Sequence, residues 1–269
     1  MRRISEHIKK TFSYKFFSTA FLYLAAKTES LGVIVIDFLK VLILILQGKL
    51  NAKRAFEQAY SIGFGSLLIS LSMVGVAGMI IALQLAQEMV KQGAGDYVGA
   101  LVSVAIVREI GPVIGSFAVI ALAGSAMAAE IATMKVNEQT DAMFTLGVNP
   151  ISYLIVPRVI AGFLIVPFLI ILADFAGVML GMYISNLVSG LTISSFLDSV
   201  WRGLQEKDVY VSLLKGSVFG GLIALISSSV GYSTRGGAKE VGEAVTNAVV
   251  WSFVAVVLFD YLISFAFFY

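Results

Sequence analysis

"VGALVSVAIVREIGPVIGSFAVIAL", residues 98–122, sets one adjacent pair of opposite charges inside a run apolar and long enough to cross a bilayer. A charge at the centre of a span costs about 2.5 to 3.5 kcal/mol on insertion scales. Arg108 and Glu109 therefore ask for partners, a polar ligand, or both.

The rest of the chain makes the membrane reading general. Of its 269 residues 58% are hydrophobic and 13% charged, and the mean hydropathy is +0.92. Soluble domains carry about 25% charged residues. Segments comparable to the first run lie at 62–84, 151–188, 211–232 and 245–268, so about five transmembrane helices are expected in an all-α, polytopic protein. The segment 151–188 is too long for one straight crossing, and Pro157 and Pro167 are expected to kink it or to end a lead-in turn.

Ahead of the bundle, residues 1–27 read basic and then aromatic, as an amphipathic helix on an anionic leaflet rather than a cleaved signal. Residues 31–46 carry Asp37 and Lys40 and fall short of a crossing; an interfacial placement is expected, with a tilted or re-entrant span as the alternative. The whole chain reads as one domain, 1–269, with interfacial helices in 1–50 and the bundle in 60–269. Lysine and arginine crowd the first 54 residues. A cytoplasmic amino terminus and a carboxyl terminus on the far side then satisfy the positive-inside rule.

Counted along their helices at ~1.5 Å per residue, Arg108, Glu109, Lys215 and Asp260 all fall in the outer half of the bilayer. Two cations and two anions at one level neutralise one another in pairs, the usual condition for tolerating them. Two readings fit. In one the pairs lock the bundle. In the other they line a cavity that meets a polar headgroup while Ile81, Met89 and Ile110 meet acyl chains. Asp174 lies nearer mid-membrane and has no evident partner. Glycines at four-residue spacing, such as Gly177 with Gly181 and Gly216 with Gly220, permit close helix approach within the chain or between copies.

Between the second and third spans, residues 133–150 read "TMKVNEQTDAMFTLGVNP". Asn137 is expected to cap a short helix, Glu138 and Asp141 to sit at its positive end, and Gly147 to close it. Val136, Met143 and Leu146 would share one face, with Lys135 beside them and Glu138, Gln139 and Asp141 left for water or a partner. Such a helix is either a connector or a knob for a separate ATPase.

Enzyme chemistry finds few footholds. There is no cysteine, and the single histidine, His7, sits in the basic amino-terminal segment. Thiolate and imidazole sites are thus unavailable to the spans. Gly237 and Gly242 match the glycines of a phosphate-cradling loop, but Glu243 and Ala244 stand where Lys and Ser/Thr are required. No cofactor, metal or nucleic-acid partner is expected, and any energy from nucleotide must come from another subunit.

Taken together, "VREIGPVIGSFAVIALAGSAMAAEIATMKVNEQTDAM", "LGVNPISYLIVPRVIAG" and "GYSTRGGAKEVGEAVTNAVVWS" resemble the MlaE family of ABC transporter permeases from about residue 60 onward. The resemblance implies a non-catalytic, homodimeric permease of the bacterial inner membrane. Such a permease moves phospholipid to or from a periplasmic MCE-domain carrier and is driven by a cytoplasmic ABC ATPase. It places Arg108 and Glu109 as the family's intramembrane charged pair and Glu138, Gln139 and Asp141 in its coupling segment. Ser125 stands where many members have arginine. A secondary or proton-coupled transporter that uses the buried charges as a relay is the alternative, although no internal repeat supports it.

Overall fold

The computed structural model describes residues 32–48 and 51–269; the expected amphipathic helix at 1–27 lies outside the described residues. Within the described residues eight helices succeed one another: α1 (32–46), α2 (Ala52–Lys91), α3 (Gly95–Val136), α4 (Gln139–Thr145), α5 (Ile151–Ser189), α6 (Ile193–Gly203), α7 (Glu206–Tyr232) and α8 (Ala238–Phe268). The fold is all-α, and α2, α3, α5, α7 and α8 are long and apolar enough to cross a membrane. Alternation of direction puts the connections at 92–94 and 190–205, with the end of α8, at one end of the bundle. This end is called distal; the proximal end carries 137–150 and 233–237.

The spans run several residues past their apolar cores. In α2 the additional first turns are polar, and Asn51 caps them by accepting from the Arg54 backbone N–H at 3.2 Å. α5 is one continuous helix, opening with a π-helical turn at Ile151–Ile155 and carrying Pro167 inside it. Pro157 falls at the start of the regular α-helical part, directly after that π-helical turn, where the carbonyl ladder changes register. The regular part alone is 34 residues long, so this span keeps its extra length as helix.

Helix contacts rest on missing side chains. A Cβ on Gly78 would strike the Gly177 carbonyl, locking α2 to α5, and one on Gly220 would strike the Gly162 carbonyl, locking α7 to α5. Lipid offers helices no hydrophobic drive to associate, so close backbone approach and dispersion must supply it. Gly177, Gly181, Gly216 and Gly220 are all used within the chain. α8 is different: only Ala244, Ala248, Ser252 and Val256 are buried along it, and Val250, Val257, Tyr261 and Phe265 stand outward.

α1 leans on the bundle at an angle. Leu44 shares a cavity with Asn149, Ser152 and Tyr153 at the proximal end, while Ile34, Val35 and Phe38 border a wholly apolar crevice of about 420 Å³ beside Leu222, Trp251 and Leu258, deeper along α7 and α8. α1 therefore climbs toward mid-bundle, with Asp37 buried and hydrogen-bonded by Lys40 at 3.3 Å.

Candidate functional site

The stretch R-E-x-G-P builds a charge cluster, and each of its residues has a distinct part. Residues Ile106–Ile110 form a π-helical turn within α3, a feature that recurs at functional sites because it redirects side chains. Arg108 Nε donates to Asp208 Oδ1 at 2.7 Å, and its guanidinium lies 4.5 Å from the centre of the Phe268 ring. Glu109 accepts from Lys215 Nζ at 3.0 Å and from Ser264 Oγ at 2.8 Å. Pro112 has no N–H to offer the carbonyl four residues back, and that carbonyl, of Arg108, accepts instead from Lys215 Nζ at 2.6 Å.

Lys215 is the hub. It is fully buried, and Asp260 Oδ1 lies 2.7 Å from Nζ as an ion pair outside hydrogen-bond angles. An ammonium carries three donors and no acceptor. Two hydrogen bonds and this ion pair occupy all of its neighbourhood. The cluster thus joins α3, α7 and α8 in the distal half of the bundle, and its exposed part is unequal: Arg108 and Glu109 side chains are 32% and 46% accessible, Lys215 is sealed.

Gly111 explains Asp174. A Cβ at Gly111 would overlap the Asp174 carboxyl, so the glycine leaves room for that acid between α3 and α5. Asp174 accepts from Ser212 Oγ at 3.0 Å through Oδ2, and Oδ1 is buried without a hydrogen-bond partner. Its neighbour was invisible in sequence because a serine in a span carries no charge to count.

The predicted site residues divide on this geometry. Arg108, Glu109, Lys215 and Asp260 come together as their depths required. Asp208, fully buried, completes the set. It was missed because it lies in the first turn of α7, ahead of the span expected at 211–232; the signal available was Gln205 three residues ahead, and the two form a reciprocal cap. Ile110 is half-buried beside the pair. Ile81 and Met89 pack against the cluster of Val98, Val102 and Ile106, on the distal side of Arg108.

At the proximal end the short helix is α4, and its start differs from expectation. Asn137 terminates α3, donating its N–H to the Thr133 carbonyl. Glu138 takes a left-handed conformation at φ 58° and stands as the residue before α4, without a side-chain cap. A single left-handed residue reverses the chain between two helices more tightly than a capped loop. Gly147 is left-handed as expected, at φ 77°. Lys135 reaches back to Asp141 at 2.7 Å. Val136, Met143 and Leu146 do not share one face: Met143 packs on the core, whereas Leu146, past the helix end, is 80% exposed and Phe144 is 74% exposed. Gln139 is also exposed, so α4 presents two large apolar side chains among polar ones.

Among the described residues no cluster of acidic or imidazole groups suits a metal ion. In the 233–237 connection, the Gly237 N–H donates to Glu240 Oε2 at 2.8 Å, so these glycines serve a helix start.

Comparison with known sequences agrees with this architecture. The profile of the family described as "Permease MlaE" matches residues 55–266. A "probable ABC transporter permease protein" of Synechocystis sp. is 41% identical over 225 residues, covering 84% of this chain and 86% of the relative. A protein of the same description from Rickettsia typhi is 35% identical over 236 residues, 88% and 91% of the two chains. The chloroplast protein TRIGALACTOSYLDIACYLGLYCEROL 1 of Arabidopsis thaliana is 39% identical over 229 residues, covering 85% of this chain and 65% of that longer one. With a five-span helical bundle and a profile match across nearly all of it, the chain belongs to the MlaE permease family and is an ABC transporter permease subunit.

Proposed function

We propose that this permease moves phospholipid between the bacterial inner membrane and a periplasmic MCE-domain carrier, as a homodimer driven by a separate cytoplasmic ATPase. The observation that carries the reading is the asymmetry of the charge cluster. Arg108 and Glu109 are half-exposed, held from behind by a Lys215 whose own contacts are complete. A preorganised cation and anion side by side suit a phosphate-bearing headgroup, and Ile110 with the apolar flank at Ile81 and Met89 suits the chains. Asp260 and Lys215 set the position of that pair. A relative named for a diacylglycerol glycolipid is consistent with a glycerolipid cargo.

The second copy belongs on α8, whose outward face of Val250, Val257, Tyr261 and Phe265 is left exposed by the described residues. The ATPase belongs on α4, with the amino terminus cytoplasmic and the carboxyl terminus periplasmic. Phe144 and Leu146 supply apolar anchors, Glu138 and Gln139 a polar rim, and Lys135 with Asp141 ties α4 to α3. α3 carries Arg108 and Glu109 near its other end, so displacement of α4 by ATP-driven closure of the partner shifts the cluster as part of one rigid body. Purification in mild detergent tests the assembly: the permease should retain an ATPase and an MCE-domain protein, and Leu146→Asp should release the ATPase. An ATPase held equally well by the variant would remove α4 from the coupling.

The proton-coupled alternative rests on Asp174, whose unpartnered oxygen is what a proton relay would use. Lipid flux driven by a proton gradient with no ATPase present would favour it.

A further inference from the structure

At the proximal end, a second cluster of ionisable side chains surrounds a cavity of about 330 Å³ between α2, α3 and α5. Four charges line it, two of each sign: Arg54 and Glu57 from the first turns of α2, Glu130 from α3, and Arg158 from α5. Arg158 is 3% exposed. It donates to Glu130 Oε2 and to the Leu154 carbonyl, each at 2.8 Å, and its Nε is buried without a partner. Glu130, by contrast, leaves 57% of its side chain accessible. The Arg54 guanidinium carbon lies over Tyr153, 3.1 Å from the ring centre, in a cation–π contact.

Arg54 and Glu57 sit in the opening turns of α2, and Glu130 and Arg158 lie one to two turns in from the proximal ends of their helices, which is the level of lipid headgroups in a bundle of this length. A binding site for a single anion would not spend two carboxylates on its wall, and a pure ion-pair lock would not leave a cavity between them. Both signs, held apart around one space at headgroup depth, are complementary to a ligand that carries both. We propose that this cavity is a second lipid site, on the leaflet opposite the Arg108 cluster. It takes a zwitterionic headgroup, the phosphate toward Arg54 and Arg158 and the ammonium toward Glu57 and Glu130. The inference rests on the lipid-transport reading only for its purpose; occupancy of the cavity does not require transport. Met143, the one α4 side chain that also borders the cavity, places the site in contact with the helix that faces the ATPase. Loading there would be sensed directly at α4.

The test uses the full permease in nanodiscs made from equal phosphatidylethanolamine and phosphatidylglycerol, released into the gas phase for mass measurement of retained lipid. The wild-type protein should retain phosphatidylethanolamine preferentially. Arg54→Ala should lower that retention about tenfold, the worth of one charge-assisted hydrogen bond, and Glu57→Gln should move the preference toward phosphatidylglycerol. Both residues are at the rim, so neither change strands the buried Arg158. A purely structural ion-pair network would leave headgroup preference unmoved, and equal retention by the wild type and both variants overturns the proposal. Water-soluble glycerophosphoethanolamine is the second arm. Its failure to displace the lipid is the expected result for a membrane-borne ligand, and full displacement would reassign the cavity to a soluble zwitterion. Loss of lipid transfer with retention unchanged would fault the transport reading and leave this site standing.

Discussion

Replacing Lys215 by Met keeps the volume of the side chain and removes its charge, and three contacts disappear with that charge. Glu109 loses its 3.0 Å hydrogen bond, Asp260 its 2.7 Å ion-pair partner, and the Arg108 carbonyl its only donor at that position, since Pro112 supplies none. Removing one partner of a buried pair costs about 3 to 5 kcal/mol because the remaining charge is left uncompensated. Here two carboxylates are left. Glu109 keeps Ser264 and is half-exposed, so most of the penalty falls on Asp260, which is 15% accessible. Asp260→Asn alone leaves Lys215 with Glu109 and the carbonyl, and should cost about 1.5 to 3 kcal/mol, the worth of one charged contact. Lys215→Met combined with Asp260→Asn should recover about half of the single lysine loss, because the uncompensated charge is gone. Resistance to unfolding by SDS in mixed micelles, read by loss of helical circular dichroism, gives the order: wild type, then Asp260→Asn, then the double variant, then Lys215→Met. A double variant less stable than Lys215→Met would refute the assignment of Lys215 as the hub.

Gly111→Ala should destabilise by about 1 to 3 kcal/mol, the usual cost of overpacking, and Asp174→Ala in the same chain should restore part of it by clearing the space. Gly162→Ala, where the new Cβ meets the Gly220 carbonyl, should cost at least as much in the same unfolding assay, since backbone yields less than a side chain. Phe144→Ala and Leu146→Ala both alter exposed side chains. They should leave stability of the isolated permease within about 0.5 kcal/mol while reducing stimulation of the ATPase several-fold on reconstitution; a stability loss would mean that these side chains pack within the chain.

The spans and the co-planar charges were legible because both obey one-dimensional rules, apolar run length and residues per ångström. Arg108, Glu109, Lys215 and Asp260 needed only a depth to be brought together. Asp208 was not legible, since a helix that begins with a polar turn looks like a loop until its cap is seen. Asp174 was legible as a cost and not as a contact; Ser212 and Gly111, which accommodate it, differ from other span residues only by what they lack. The reversal at Glu138 was missed for a similar reason. Asn137 is the better capping residue by type, yet α3 runs on to Val136 and Asn137 closes that helix instead of opening the next.

On the proposed mechanism a half-exposed Arg108–Glu109 pair handles lipid while force arrives at α4 from an ATPase. Its most direct test is ATP-dependent transfer of labelled phospholipid from proteoliposomes holding the permease, its ATPase and an MCE-domain acceptor. Glu109→Gln and Leu146→Asp should each abolish transfer, the first with ATP hydrolysis intact and the second with hydrolysis uncoupled from the permease. Unchanged transfer by Glu109→Gln, or transfer by the wild type on a proton gradient with the ATPase absent, would contradict the account.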